Sequence, residues 1–435
     1  MNRPSGWRKG LFGLLLIYSL FRLLYSVWTY NPIRTPSISG DFQASYAEAL
    51  HWRQTGEFKL MGFTNVPYPP FFYWWLFPLT HLPYPSVSAL LYVSQFFLFA
   101  WALALLAKSA AADSRLRLMD LLACALLAVN FQPFLETLST HKIEGLELFL
   151  ICAAIFAFKK GRDLGAGALI FLAAGLKYLP GILLLYFLLK KETRVVAGFL
   201  LAGALCMAAF ALSFGPHAAW DLGVRQTLWV GFHPDAESNH PMANFEWQSL
   251  SQVLNSFFAQ AGSFRALGER LNASQAVPVA VPKDLFWLGI ALKSLFFAGF
   301  LFLVRRRPRE DRARRWPLIL LEISITLLML PILLQAFRIH YGILLLPAFA
   351  ATGLLILSNR DLMRLKEKVL FGLGFALSGM LIPGGLLNKL PAHPSFGGPY
   401  ARLYEWWSLP FYGYMLFSLS VLLCYKRFQG ALLQK

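Results

Sequence analysis

Apolar residues fall in long unbroken blocks along this chain, and short clusters of Lys and Arg separate many of them. A block approaching ~20 residues with no polar face is what a membrane-spanning helix requires. The blocks predict spans over residues 10–28, 86–107, 119–136, 143–158, 164–176, 179–189, 195–214, 284–304, 316–334, 341–358, 369–387 and 407–424. The pair 164–176 and 179–189 is short. Basic clusters at 159–162 and 190–194 nevertheless require the chain to cross and return there, turning at "GLKYLPG" (175–181).

Two stretches break the pattern. Residues 10–28 follow Arg8 and Lys9, as a signal peptide would, but show no small-residue cleavage pattern and are interrupted by Arg22 and Tyr25. They are read as a retained first span. "YPPFFYWWLFPLTHLP" (68–83) is apolar yet holds four prolines, and the positions of the basic loops forbid it to cross. It is expected to be a buried or re-entrant piece, covered by protein.

The resulting fold class is an all-α polytopic membrane protein, a single domain over residues 1–435 with about 12 transmembrane helices. Composition agrees: 57% of residues are hydrophobic and 14% charged, against roughly 25% charged in a soluble domain. The net charge of +18 sits mostly in short loops, such as Lys190–Lys191–Arg194 and the arginine run from Arg305 to Arg315. That is the positive-inside signal. It places both termini in the cytoplasm, argues for a multi-pass plasma-membrane protein and implies no nucleic-acid partner. The four cysteines all lie in apolar spans and form no disulfide or metal-ligand pattern. Two large loops, 29–85 and 215–283, face outward, so chemistry is expected at that face.

The first of these loops opens on an amphipathic helix in "GDFQASYAEALHWRQTGEF" (40–58). Ser39 can cap it and Gly56 can end it. Phe42, Tyr46, Ala49, Leu50 and Arg53 share one face, and Asp41, Ser45 and Glu48 are expected on another. Asp41 is a candidate general base, which must be a carboxylate or imidazole near a substrate hydroxyl; a first-turn acid balancing the helix dipole is the alternative. "HKIEGLE" (141–147) gathers His141, Lys142, Glu144 and Glu147 at a membrane boundary, where titratable groups are functional candidates. The alternative there is a solvated loop in which Lys142 pairs with Glu144. Lys177 stands at the break between two short helices, suited to an anion or simply to snorkelling. Arg338 and His340 mark the outer end of a late span and suit a phosphate. Lys293, in mid-span, requires a cavity or partner. "HPDAESNH" (233–240) has metal-ligand residue types without metal-ligand spacing, and Asn272-Ala-Ser274 is a glycosylation sequon.

Four stretches together resemble glycosyltransferase family 87, which has the GT-C fold. They are the 40–58 helix with its following Tyr-Pro-Pro segment, "GLKYLPGILLLYFLLKKETR" (175–194), "NFEWQSLSQVLNSFF" (244–258) and "RIHYGILLLP" (338–347). The likeness runs over nearly the whole chain. Where the family pattern has Gly-Gln and then Asn, this chain has His141-Lys142 and then Glu144 or Glu147. The resemblance implies Asp41 as catalytic base and His340 and Lys177 near the donor phosphate; Arg338 joins them by its place beside His340, and His141 and Glu144, where the chain departs from the family pattern, are candidates for the acceptor side.

It further implies a GT-C-type bundle that moves a hexose or pentose, mannose first among them, from a polyprenyl-phosphate sugar donor to a glycolipid or polysaccharide acceptor on the extracytoplasmic face. No cofactor is expected, and a divalent metal is left open. Partners are the donor, the acceptor and membrane lipids. Two other classes stay open: a transporter or flippase of an anionic lipid or lipid-linked sugar, with Arg22 and Lys293 along its path, and a non-catalytic member of a cell-envelope complex.

Overall fold

The structure, a computed structural model, describes residues 6–29, 40–56, 68–110, 128–139, 143–220, 242–243, 277–278, 283–305, 312–333, 339–359, 362–378 and 409–433, with isolated residues in 122–126 and at 224 and 250. Apart from a two-residue antiparallel pairing of Met242–Ala243 with Val277–Pro278, the described elements are helical. Helices α1 (Gly6–Thr29), α2 (Gly40–Thr55), α3 (Pro70–Leu76), α4 (Tyr84–Ala110), α5 (Gln132–Ser139), α6 (Glu144–Lys159), α7 (Asp163–Leu176), α8 (Ile182–Leu189) and α9 (Thr193–Phe214) make the first half. Helices α10 (Lys283–Arg305), α11 (Arg312–Leu328), α12 (Leu346–Ser358), α13 (Leu365–Ser378) and α14 (Leu409–Leu433) make the second. Among the described residues, five helices are long and apolar enough to cross a membrane: Tyr84–Ala110, Thr193–Phe214, Trp287–Val304, Arg315–Leu333 and Tyr341–Ser358.

Several expected spans divide. The block at 119–136 breaks at Asn130, and α5 begins afresh with Pro133 in its first turn. Proline has no N–H to continue a ladder, and the Asn130 amide instead donates to Leu126 O at 2.8 Å and Ser19 Oγ at 2.5 Å. The block at 341–358 likewise divides into a 3-10 helix, Ile339–Leu345, and α12, which opens on Pro347. Residues 68–83, expected as a buried piece and not as a span, hold α3 and then a 3-10 helix, Phe77–His81, with Tyr68, Phe72, Tyr73 and Leu76 buried.

The expected faces of α2 need correction. Ser45 and Glu48 are buried together with Phe42, Tyr46, Ala49 and Trp52, whereas Leu50 and Arg53 are only half-buried. Polar positions join the buried face because they have partners there: Tyr73 Oη donates to Glu48 Oε2 at 3.0 Å. Tyr46 Oη donates to Leu82 O at 2.5 Å. Trp52 packs on Phe77, Phe210 and Phe214, the last with ring centroids 3.8 Å apart. Gly56 ends the helix as expected, at φ +73° with its N–H bonded to Trp52 O. Ser39 lies outside the described residues.

The bundle packs through close backbone approaches. A Cβ on Gly167 of α7 would run into Val195 O of α9, and one on Gly198 of α9 into Leu164 O of α7. Small residues that let helix backbones touch are the usual glue between membrane helices. At the end opposite Glu144 the basic loops are tied to helix ends. Arg312 binds Asp163 at 2.6 Å and Phe158 O at 2.9 Å. Lys159 Nζ donates to Lys108 O and Ser109 O, both at 2.8 Å, and Trp316 Nε1 to Ser109 O at 2.6 Å.

Candidate functional site

Four elements meet around Lys177. The residue caps α7, its N–H still bonded to Ala173 O, while its own backbone turns extended. Pro180, in the first turn of the next 3-10 helix (Leu179–Gly181), prevents α7 from continuing. Lys177 Nζ lies 2.7 Å from Oε1 of Glu144, the first residue of α6. It sits 4.3 Å from the ring centroid of Tyr341 and 5.4 Å from that of Tyr68. Tyr68 in turn stacks on Phe72 of α3 at 4.3 Å. The chain segments 68–72, 144–147, 177 and 341 thus converge at one end of the bundle although they are far apart in sequence.

Glu147 stands three residues after Glu144, on the same face of α6. It is fully buried, and neither of its carboxylate oxygens has a hydrogen-bond partner among the described residues. Gln95 of α4 reaches the first turn of α6 because position 145 is glycine; a Cβ there would collide with the Gln95 amide oxygen. Two carboxylates therefore face one ammonium in a buried setting. Burial alone would push the Lys177 ammonium down. The charge of Glu144, with Tyr341, Tyr68 and Glu147 after it, outweighs burial and holds it well above its ordinary value.

The next layer outward is α2 on α3. Burial, then the charge of Glu48 and the hydrogen bond to it, hold the Tyr73 phenol above its ordinary value. It stays protonated and donates. Asp41 is the second residue of α2, one turn before Ser45 and two before Glu48; its side chain lies outside the described part. His340 is the second residue of the 3-10 helix and directly precedes Tyr341; its side chain also lies outside the described part. Arg338, His141 and Lys142 lie outside the described residues, as do 233–240 and 272–274.

Sequence reasoning did not find Tyr68, Tyr73 or Tyr341, because an aromatic in an apolar run carries no signal of a charged neighbour. Glu147 was visible as the second acid of "HKIEGLE", at helical spacing from the first.

Two other buried charges have internal partners. Glu322 accepts from Lys190 at 2.9 Å, Tyr186 at 3.1 Å and Tyr425 at 3.0 Å. Arg22 is buried and donates to Asn130 O at 2.6 Å, which fastens α1 to the bundle. Among the described residues no group of three or more His, Cys, Asp or Glu side chains is placed to hold a metal ion.

Residues 66–331, more than half of the chain, match the family model described as Glycosyltransferase family 87. The matched stretch contains Tyr68, Tyr73, Glu144, Glu147 and Lys177; Asp41, Arg338 and His340 lie beyond it. No curated protein matches the chain, and no solved structure does.

Proposed function

The chain belongs to glycosyltransferase family 87, and from that premise we propose that it moves a hexose or pentose, mannose first, from a polyprenyl-phosphate donor to a lipid-linked or polysaccharide acceptor on the extracytoplasmic face. In the proposed step an acceptor hydroxyl oxygen attacks the anomeric carbon. The bond from that carbon to the phosphate oxygen breaks, and polyprenyl phosphate leaves with the electron pair. The hydroxyl proton passes to the Asp41 carboxylate. One displacement inverts the anomeric centre and needs no covalent intermediate. Arg338 and His340 stabilise the leaving phosphate electrostatically.

The observation that carries this reading is the convergence at one end of the bundle. The family match includes the Tyr68, Glu144 and Lys177 segments, and the structure joins to them Tyr341, the neighbour of His340. Lys177 already gives one of its three N–H donors to Glu144 at 2.7 Å, so a phosphate there would share the ammonium with a carboxylate. It therefore ranks behind His340 and Arg338 as a phosphate ligand, and it positions Glu144 for an acceptor hydroxyl. Arg22, one of the two residues a flippase path would use beside Lys293, donates to Asn130 O instead.

The test is purified protein in nanodiscs, given one sugar on polyprenyl phosphate and, separately, on a nucleotide. Transfer from the lipid donor alone, lost in Asp41→Asn, is the expected result. Transfer from the nucleotide sugar alone would overturn both the donor class and the placement of the site.

A further inference from the structure

Between α1, α4, α12 and α13, with Leu122, Ala125, Ala128 and Val129, lies a cavity of about 810 Å³. Phe99, Leu103, Phe349, Leu354 and Phe371 are among its walls, and Lys368 is the one charged residue among the described lining. We propose that this cavity holds a hydrocarbon chain of an anionic phospholipid whose phosphate rests at Lys368.

Three observations support that occupant. The first is the lining. Protein interiors are close-packed, and a cavity within the ~300–1,000 Å³ range of enclosed ligand sites leaves its walls without dispersion partners unless something fills it. A wall with almost no hydrogen-bonding groups selects hydrocarbon, and in a bilayer the hydrocarbon at hand is a lipid tail. The second is charge. Lys368 stands at one end of the cavity, and exposed Arg364 and Lys366 lie within one helical turn of it. A basic cluster at the foot of an apolar cleft suits a lipid phosphate.

The third is position. The 3-10 helix carrying Tyr341 lies beside Lys177, and α12 then runs away from it to Ser358 before α13 begins. Thirteen residues of helix separate the two ends by about 20 Å. A lipid with its phosphate at Lys368 therefore does not present that phosphate to the Lys177 cluster. The occupant is a resident membrane lipid rather than a reacting donor, and the inference does not depend on the glycosyl-transfer reading.

The experiment is native mass spectrometry of the detergent-purified full-length protein. The probes are dioleoylphosphatidylglycerol, dioleoylphosphatidylcholine and a polyprenyl phosphate. The expected result is one tightly held phosphatidylglycerol, preferred over phosphatidylcholine. Lys368→Gln should weaken it about fivefold, the scale of one basic residue at a lipid surface. Ala104→Phe, which projects a ring into the cavity, should weaken retention severalfold while elution volume and thermal midpoint stay those of the parent. Ala350→Phe serves the same purpose should Ala104→Phe misfold. Equal retention of both phospholipids, parental retention in the Phe variant, or replacement of phosphatidylglycerol by polyprenyl phosphate would each overturn the proposal.

Discussion

Lys177 and Glu144 meet at 2.7 Å with both side chains buried, one ending α7 and the other beginning α6. Neither can lose its partner cheaply. Removing one member of a buried pair leaves an uncompensated charge, which costs ~3–5 kcal/mol. Lys177→Met or Glu144→Leu alone should therefore lower the thermal midpoint sharply. The double variant should recover much of the loss, because two apolar residues replace two charges. A double-mutant cycle in detergent checks this; single-variant losses that simply add would show that the contact contributes nothing.

Glu147 should behave in the opposite way. Among the described residues its oxygens have no hydrogen-bond partner, and it is a second buried acid beside a single ammonium. Glu147→Gln is expected to leave stability unchanged or raise it, and to lower transfer at least tenfold. Such a trade between stability and activity marks a group kept for function. Thermal melts and turnover on one preparation read both quantities, and loss of stability with full activity would assign Glu147 to structure.

Asp41→Asn should lower transfer by ~10²–10⁴-fold, the usual share of a general base, while the protein inserts and purifies normally. Turnover with a polyprenyl-phosphate sugar is the measurement. Activity within a few-fold of the parent would remove Asp41 from the mechanism and leave it as a helix-end acid.

Tyr73→Phe removes one donor to Glu48 across the α2–α3 contact. A buried carboxylate left short of a partner costs ~1–3 kcal/mol. Tyr73→Phe should accordingly destabilise more than Tyr46→Phe, whose partner is a neutral backbone carbonyl. Denaturant midpoints of the two variants, compared at equal slope, decide it.

Single cysteines at positions 41 and 340 should react with an impermeant reagent from outside the cell. Cysteines at 159 and 312 should react only after permeabilisation. The motive is that Lys159 and Arg312 belong to the tied basic end of the bundle, whereas Glu144 and Tyr341 mark the other end. Labelling of all four from one side would dismantle the threading.

The helices were readable because an apolar block of span length has few other uses, so α4, α9 and α10 begin and end close to where the blocks do. Breaks inside a block were not readable. Asn130 interrupts one because its amide turns to Ser19 on α1, a contact across 111 residues that no local pattern encodes. The site was half legible for a similar reason. Lys177 and Glu144 stood out as charges in apolar surroundings, but nothing in either neighbourhood says that they pair. The same holds for the buried side of α2: Glu48 looks like a solvent residue until Tyr73 is placed beside it.

Helix α7 has 14 residues and α8 has eight, so at 1.5 Å per residue they reach only about 21 Å and about 12 Å. The hydrocarbon core of a bilayer is ~30 Å thick. Placed in one, this hairpin obliges the lipid to thin around it, or leaves its turn sunk beneath the headgroups. Lys177 occupies that turn, so the proposed site would lie at the floor of a dimple rather than on a plain. Bilayer thickness then acts on this enzyme as a mechanical load: thicker, straighter-chained membranes pull against the depression, and thinner ones relax it.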